Sequence, residues 1–267
     1  MKLQRLLSLT RKAIDEFSMI EEGDRIAVGI SGGKDSLTLL YALGELKKFY
    51  PKRFTVEALT VSLGYENFDL SGLQELCEKL EIPYTVVDTE IAKILFEELH
   101  EENPCSLCAR LRKGAFNQKA MELGCNKIAY AHHKNDVVET FLMSLILEGR
   151  IHTFSPVTHL ERTGLTLIRP LIYVTEPEVK GFRYRYDLPV VENPCPVDGY
   201  TNRQYAKNLI ASMNQEHPGA LERMFTAILN GDLPDWKERI PTDRQGRPRS
   251  FFSNCSKESG SGASNSI

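Results

Sequence analysis

A short run of glycine, lysine and hydroxyl residues near the N-terminus has the composition of a phosphate-binding loop. It consists of Ser31, Gly32, Gly33, Lys34, Asp35 and Ser36, and it follows an apolar run typical of a strand. Glycines let the backbone approach an anion closely and adopt positive φ. A helix that begins behind them offers unpaired N–H groups and the positive end of its dipole. With a lysine cation and serine hydroxyls added, the run predicts a site for nucleotide phosphates.

This loop differs from a Walker A motif at two positions. Val28 stands where that motif has its first glycine, and Asp35 follows the lysine in place of serine or threonine. A carboxylate in a phosphate site calls for a reason, and coordination of Mg²⁺ is the obvious one. The alternative is an ordinary glycine turn capped by Ser31. The match of six consecutive residues at a strand-to-helix junction favours the phosphate site.

Three cysteines form the second group that could do chemistry. Cys105 and Cys108 form a CxxC pair directly before a predicted helix, and Cys195 lies far along the chain. The sequence Glu-Asn-Pro precedes both Cys105 and Cys195, and the proline restricts the backbone just before each thiol. Basic residues follow the first pair and favour the thiolate form; they are Arg110, Arg112 and Lys113.

On spacing alone this cysteine trio has four interpretations. It could be a thioredoxin-like redox pair, or a set of inert buried thiols. It could be a zinc site completed by His132, His133 or Cys125. It could also be an iron–sulfur cluster held by three cysteines, which leaves one iron open to an exogenous ligand such as sulfide. The spacing does not decide between zinc and the cluster. Cys77 and Cys125 fall in apolar surroundings and are expected in the core.

The elements that must position these residues alternate along the first two thirds of the chain. The predicted strands are Arg25–Ile30, Phe54–Ser62, Tyr84–Asp88, Lys127–His132 and Leu165–Arg169. The predicted helices between them are Asp35–Phe49, Leu70–Leu80, Cys108–Leu123 and Asn135–Leu147. Strands alternating with helices of this length predict an α/β fold with a doubly wound parallel sheet.

Composition divides the chain of 267 residues into four regions. We predict an N-terminal helix (1–22), an α/β ATPase domain (23–175), a helical C-terminal region that carries Cys195 (176–240) and a disordered tail (241–267). The N-terminal segment lacks the apolar run of a secretory signal, and no stretch is long enough to cross a membrane. We therefore expect a cytoplasmic protein without membrane contact, in which structural disulfides are disfavoured. The formal net charge of −3 means that a nucleic-acid partner would need a local basic patch.

The loop at the end of the first strand resembles that of the PP-loop ATP pyrophosphatases. The resemblance implies an adenine nucleotide α-hydrolase-like sheet, release of pyrophosphate from ATP, and adenylation of the substrate on a carbonyl-type oxygen. It implies that Lys34 and Asp35 are catalytic and that Asp35 binds Mg²⁺. The implied ATP contacts are Gly29, Ser31, Gly32, Gly33, Lys34, Asp35, Ser36, Val61, Ala131 and Asp136. Family members usually have two adjacent acids where this chain has Asn135 and Asp136.

The combination of this loop, the segment 104–114 and the late Cys195 is similar to the tRNA 2-thiocytidine synthetase branch of that family, over about residues 1–235. The similarity implies ATP-dependent thiolation of tRNA cytidine, at position 32, with sulfur inserted through a 4Fe–4S cluster. It implies that Cys105, Cys108 and Cys195 hold the cluster and that Cys105 and Cys195 are catalytic. The implied partners are tRNA and a sulfur donor, either a cysteine desulfurase or free sulfide, and the implied assembly is a homodimer.

Basic residues with interleaved aromatics suit RNA contacts. The expected RNA contacts are Arg110, Arg112, Lys113 and Arg203, and further candidates are Arg183, Tyr184, Arg185, Tyr186, Asn202 and Lys207. The alternative for each is a solvated helix face. Two rival functions stay open: thiolation of another tRNA base or another sulfur substrate, and a non-catalytic ATP-binding iron–sulfur sensor. Intact Lys34 and Asp35 favour an enzyme over a sensor.

Overall fold

The structure is a computed structural model, and it describes residues 1–64, 69–95, 104–191, 202–231, 233 and 236, with only the backbone for 104 and 105. The predictions for Cys195 and for the tail 241–267 therefore lie outside the described residues. The division of the chain into four regions stays a prediction.

In the described chain, six strands form one sheet. They are β1 (Asp24–Gly29), β2 (Phe54–Ser62), β3 (Tyr84–Asp88), β4 (Lys127–Ala129), β5 (Val157–Leu160) and β6 (Leu165–Ile168). The spatial order is β3-β2-β1-β4-β6-β5, and every pair is parallel except β5 with β6. The strand order reverses between β1 and β4, and such switch points form a crevice at the carboxyl ends of the strands. The doubly wound parallel sheet predicted from the sequence is confirmed.

Helices precede, separate and follow the strands along the described chain. They are α1 (Leu3–Glu16), α2 (Lys34–Leu46), α3 (Ser71–Lys79), α4 (Ile91–Lys93), α5 (Pro104–Glu122), α6 (Lys134–Leu147), α7 (Glu176–Tyr186), α8 (Asn202–Glu216) and α9 (Ala220–Asn230). Among the described residues, none of these helices has the length and apolar content needed to cross a bilayer.

The two faces of the sheet carry cores of very different size. Neighbouring residues on a strand point to opposite faces. In β1, Ile26 and Val28 join a large cluster that includes residues of α1, α2, α7 and α9, whereas Ala27 between them joins a small one. Phe116 and Ala120 of α5 supply the helical side of the small cluster. The helix with the CxxC pair is therefore held by a separate and smaller set of contacts.

The structure adds a strand that the sequence analysis missed. β5 pairs antiparallel with β6 at the edge of the sheet, and a tight turn that ends at Gly164, with φ of +69°, joins the two strands. Four residues of mixed polarity at an edge do not show the alternation by which a half-buried strand is recognised.

Two predicted boundaries also need correction. The helix expected from Cys108 begins at Pro104, so the CxxC pair lies within the helix rather than before it, with Cys105 in the first turn and Cys108 at the start of the second. Proline suits the first helical position because its fixed φ is already helical and its missing N–H is not needed there. The fourth strand ends at Ala129 and not at His132, and His133 is the N-cap of α6.

Candidate active site

The loop between β1 and α2 is folded by its own hydrogen bonds. Gly33 N–H donates to Ser31 Oγ at 3.4 Å, and the Ser36 hydroxyl donates to the Gly33 carbonyl at 2.9 Å. Gly32 has φ of +79°, and its carbonyl accepts from Val191 N–H at 3.0 Å. A Cβ on Gly32 would lie 3.0 Å from Val191 Cβ. Glycine is therefore needed at this position both for its conformation and for the close approach of the chain.

Lys34 is held between two carboxylates at the start of α2. Its Nζ lies 2.9 Å from Asp35 Oδ2 and 3.6 Å from Glu176 Oε1. Burial is the largest single effect and lowers the pKa of Lys34, but the hydrogen bond and charge of Asp35, together with Glu176, outweigh it and raise that pKa. Lys34 is therefore positively charged at neutral pH, as phosphate binding requires.

The two carboxylate oxygens of Asp35 have different surroundings. Its Oδ2 accepts from Lys34, but within the described part of the chain its buried Oδ1 has no hydrogen-bond partner. His133 Nε2 lies 3.7 Å from this oxygen, beyond hydrogen-bond distance. An unsatisfied buried carboxylate oxygen calls for an explanation such as an ion, and carboxylate oxygen is a preferred ligand of Mg²⁺. The predicted Mg²⁺ role of Asp35 fits this geometry.

Glu176 is a charged residue of the site that the sequence analysis missed. Besides Lys34 it approaches Lys180 at 3.3 Å and Lys207 at 3.4 Å. Burial is the largest effect and raises the pKa of Glu176, but Lys207, Lys180 and Lys34 together lower it. Glu176 is therefore ionised and gathers three lysines. The sequence signal for it was weak, since Thr175 and Glu178 around it form a capping box that explains the acids as helix signals.

The start of α6 is fixed by a reciprocal cap. Asp136 N–H donates to His133 Nδ1 at 3.3 Å, and His133 N–H donates to Asp136 Oδ2 at 2.9 Å. The side chain of His133 is 3% exposed. The Nδ1 lone pair is thus used by the backbone, which gives His133 a structural role at this helix terminus.

Asn135, which stands where the related family usually has an acid, has a specific partner. Its Oδ1 accepts from Glu176 N–H at 2.9 Å. That N–H belongs to the first residue of α7, whose backbone donors have no partner within the helix. The contact therefore joins the starts of α6 and α7, and it requires an acceptor oxygen rather than a charge.

Asp136 and Glu139 share Arg203 of α8. One guanidinium nitrogen lies 3.0 Å from Asp136 Oδ1 and 3.1 Å from Glu139 Oε2. The side chain of Glu139 is 1% exposed and that of Arg203 40% exposed. Burial, followed by the charge of Asp136, raises the pKa of Glu139 despite Arg203. Arg203, expected to contact RNA, is here the cation that compensates two carboxylates.

A cleft of about 550 Å³ brings the predicted residues together at the switch point. Of the expected ATP contacts, those that line it are Gly29, Ser31, Asp35, Ser36, Val61, Ala131 and Asp136. Gly32, Gly33 and Lys34 belong to the same loop but are not part of its lining. Helix α5 contributes Ala109, Arg112, Lys113 and Phe116 to the same lining. The phosphate loop and the CxxC helix therefore face the same space.

His132 is a further lining residue whose chemistry the sequence left open. Burial, and next the charge of Arg169, lowers the pKa of His132 to about 4. Its ring centroid lies 4.7 Å from that of Phe154, and within the described residues its Nδ1 has no partner. A neutral imidazole thus forms part of the cleft wall at physiological pH.

The structure describes the cysteines only in part. Cys108 is partly buried near the start of α5, while the side chain of Cys105 and all of Cys195 lie outside the described residues. Burial raises the pKa of Cys77 to about 12 and that of Cys125 to about 11, so both stay thiols in the core. No group of three or more His, Cys, Asp or Glu side chains within the described ranges could hold a metal ion.

The other RNA candidates differ in their surroundings. Arg110 and Lys113 are exposed on α5. The Arg183 guanidinium lies 5.2 Å from the Tyr184 ring centroid, and Tyr184 is exposed. Tyr186, in contrast, packs on Phe182 at 4.3 Å and accepts from the N–H of Leu3, which indicates a structural role.

Comparison with known proteins agrees with this geometry. The model of the PP-loop domain family matches residues 5–212. A tRNA-cytidine(32) 2-sulfurtransferase of Pelobacter propionicus is 38% identical over 230 residues, which cover 85% of this chain and 86% of that protein. One of Erwinia tasmaniensis is 35% identical over 248 residues, covering 89% and 80%.

A solved structure is also similar. It is the U34-tRNA thiolase NcsA from Methanococcus maripaludis with its [4Fe-4S] cluster, with a TM-score of 0.68 and 25% identity. The superposition covers 82% of this chain and 76% of that chain.

Proposed function

The chain belongs to the PP-loop family, in the branch of the tRNA-cytidine 2-sulfurtransferases, and on that premise we propose that it thiolates cytidine 32 of tRNA at C2 in an ATP-dependent reaction. The observation that carries the proposal is the shared cleft. Ser31, Asp35 and Ser36 of the phosphate loop line it together with Ala109 and Arg112 of the CxxC helix. An adenylated base bound at the loop is thereby within the same space as the cysteine helix.

The first step is adenylation. The C2 oxygen of the base attacks the α-phosphate of ATP, a P–O bond forms, and the bond to the β-phosphate oxygen breaks with release of pyrophosphate. Lys34 and the N–H groups at the start of α2 stabilise the charge that develops on the phosphates. Glu176 and Asp35 hold the Lys34 ammonium in place from two sides.

The second step exchanges the activated oxygen for sulfur. A sulfur nucleophile attacks C2, the C2–O bond breaks, and AMP leaves. The target base must be reachable, so an unstacked loop base fits better than one within a stem. Because the His132 imidazole is neutral, it adds no charge to the wall of the cleft.

Two inorganic groups belong to the proposal. Asp35 is the candidate for Mg²⁺, because its Oδ1 has no hydrogen-bond partner among the described residues. Asp136 is a weaker candidate, since it is already engaged by Arg203 and the His133 N–H. Cys105, Cys108 and Cys195 would hold the 4Fe–4S cluster. The first two lie in the first five residues of α5. The helix dipole favours the thiolate of Cys105 in the first turn, and the basic residues that follow favour thiolates at both positions. Bound by three cysteines, a cluster supplies an iron that is open to sulfide.

The test is sulfur incorporation into tRNA by the holoenzyme prepared without oxygen. With ATP, tRNA lacking 2-thiocytidine and a sulfur source, nucleoside mass analysis is expected to detect 2-thiocytidine, and pyrophosphate release is expected to depend on tRNA. Lys34→Ala should abolish both signals. Cys108→Ser should abolish thiolation while retaining tRNA-dependent pyrophosphate release. Cys77→Ala, which removes a core thiol, should retain both.

The same assay separates the alternatives. Because NcsA is named a U34-tRNA thiolase, 2-thiouridine in place of 2-thiocytidine would shift the function to another base. ATP binding without tRNA-dependent pyrophosphate release would indicate a sensor. Supplying either a cysteine desulfurase with cysteine or sulfide alone identifies which donor the enzyme accepts.

We also propose a cytoplasmic homodimer. Large apolar side chains lie exposed at the end of α6 and just after it, namely Leu145, Ile146, Leu147 and Ile151. Grouped exposed apolar residues are typical of protein interfaces. Light scattering should give twice the chain mass of 30.2 kDa, and Ile146→Asp should reduce it to one chain.

A further inference from the structure

A second cavity, of about 790 Å³, lies beside the candidate active site. It is bounded by α5 and by the turn that joins β5 to β6, and we refer to it as the side groove. Pockets for ligands of nucleotide size have volumes of about 300–1,000 Å³. The side groove is therefore large enough for a nucleotide.

Basic groups dominate the side groove. Among the described lining residues, Arg110 and Lys113 of α5 and Arg162 of the β5–β6 hairpin are cationic, His159 of the hairpin adds an imidazole, and Glu161 is the single acid. All five are exposed. Within the described chain, Arg162 forms no ion pair that would neutralise it. Since the whole chain has a formal charge of −3, this is a local positive patch of the kind that binds a phosphate backbone.

The side groove adjoins the cleft that holds the phosphate loop. Lys113 lines both cavities. In the proposed reaction the target base must reach the α-phosphate in the cleft, so its neighbours along the RNA strand must occupy adjoining space. The side groove satisfies this condition.

Asn117 adds an observation that charge alone does not explain. It lines the side groove, it is 7% exposed, and within the described residues its Oδ1 has no hydrogen-bond partner. A buried acceptor left without a donor costs stability, and a ligand N–H can remove that cost. Asparagine is a common reader of nucleobases, because its amide oxygen accepts from an exocyclic amino group.

We propose that the side groove binds the nucleotide adjacent to the target cytidine, a site that rests on the proposed function. Arg162 and Lys113 contact its phosphate. Asn117 accepts a hydrogen bond from its base after a small rotation of the amide. The base is therefore one that carries an exocyclic amino group.

The first test measures RNA binding, which needs no turnover. The anaerobic holoenzyme is titrated with an RNA stem-loop that contains the target cytidine, at several salt concentrations. Arg162→Ala should weaken binding by about three- to tenfold and lower the slope of log K against log salt by about 0.7 to 1. The control is Lys119→Ala, which removes a cation from α5 that pairs with Glu122 and lines neither cavity; it should bind as wild type. Equal binding by Arg162→Ala and wild type would overturn the proposal.

The second test separates recognition by Asn117 from a structural role. Because Asn117 Oδ1 has no hydrogen-bond partner among the described residues, an apolar side chain of similar size removes the cost of that buried acceptor, so Asn117→Leu should keep or raise the melting temperature. It should nevertheless erase the difference in affinity between stem-loops whose neighbouring base carries an amino group and those with uracil there. A preference that persists in Asn117→Leu would refute base reading by this residue. If Arg162→Ala and Asn117→Leu both bind RNA more weakly while the wild type does not thiolate tRNA, the side groove is an RNA site and the proposed reaction is rejected.

Discussion

Substitution of Arg203 distinguishes a structural role from the RNA contact that the sequence predicted. Its guanidinium compensates Glu139, which is 1% exposed, and Asp136, which is 18% exposed. Removing one partner of a fully buried ion pair costs about 3–5 kcal/mol. Since the Arg203 side chain is 40% exposed, water can replace part of the interaction, and we expect Arg203→Ala to cost about 2 kcal/mol. That corresponds to a melting temperature lower by about 4–8 °C.

The pH dependence of this loss has a defined sign. Burial and Asp136 raise the pKa of Glu139, so the folded protein takes up a proton there at a pH at which the unfolded chain has not yet done so. The penalty of the uncompensated carboxylate is present above that raised pKa and disappears as the pH falls through it. The loss in Arg203→Ala should therefore shrink on acidification.

The assay is thermal unfolding of wild type, Arg203→Ala, Glu139→Gln and the double variant. Glu139→Gln removes the charge that needs compensation, so the double variant should recover most of the stability lost in Arg203→Ala. Unchanged stability in Arg203→Ala, combined with weaker tRNA binding, would refute the structural role and restore the RNA contact.

Three further predictions concern single positions of the site. Gly32 has a left-handed backbone conformation, and in Gly32→Ala the added Cβ would lie 3.0 Å from Val191 Cβ. This variant should raise the KM for ATP about tenfold in the pyrophosphate assay. An unchanged KM would mean that the loop is adaptable. Burial lowers the pKa of His132 to about 4 from 6.5, so the unfolded chain binds a proton first and stability should fall by up to about 3 kcal/mol between pH 6.5 and 4. His132→Gln should flatten that slope in denaturant titrations. Asn135→Leu should lose about 1 kcal/mol of stability with the bond to Glu176 N–H, whereas Asn135→Asp should keep it; equal losses in both variants would contradict the acceptor role.

Local sequence determined which parts of the site could be predicted. The strand, glycine loop and helix around Gly32 are contiguous, so residue types alone indicate a phosphate site. The edge strand β5 could not be recognised, because four residues without alternation acquire their conformation from pairing with β6. The predicted start of α5 lies four residues too late, at Cys108 instead of Pro104. Pro104 was interpreted as a constraint before the helix, although proline also suits the first turn of a helix.

Long-range partners account for what the sequence could not show. Asn135 is noticeable in sequence as a missing acid, but its function depends on Glu176, which is 41 residues away in the chain. Arg203 was assigned to RNA by residue type, because its carboxylate partners on α6 become visible only when α8 is packed beside them. Glu176 itself was hidden, since an acid at a helix start has a sufficient local explanation.

The unequal cores on the two faces of the sheet have a consequence for how such an enzyme changes. The large cluster includes no described side chain of α5 and none from the β5–β6 turn, while α5 is fastened by the small cluster around Phe116 and Ala120. If the side groove binds RNA as proposed, stability and substrate choice would depend on largely separate sets of residues. A chimaera that receives α5 and the hairpin turn of a relative with a different target base should retain the host's stability while acquiring the donor's specificity. Family members can thus diverge in α5 and the hairpin turn while they keep the large core cluster.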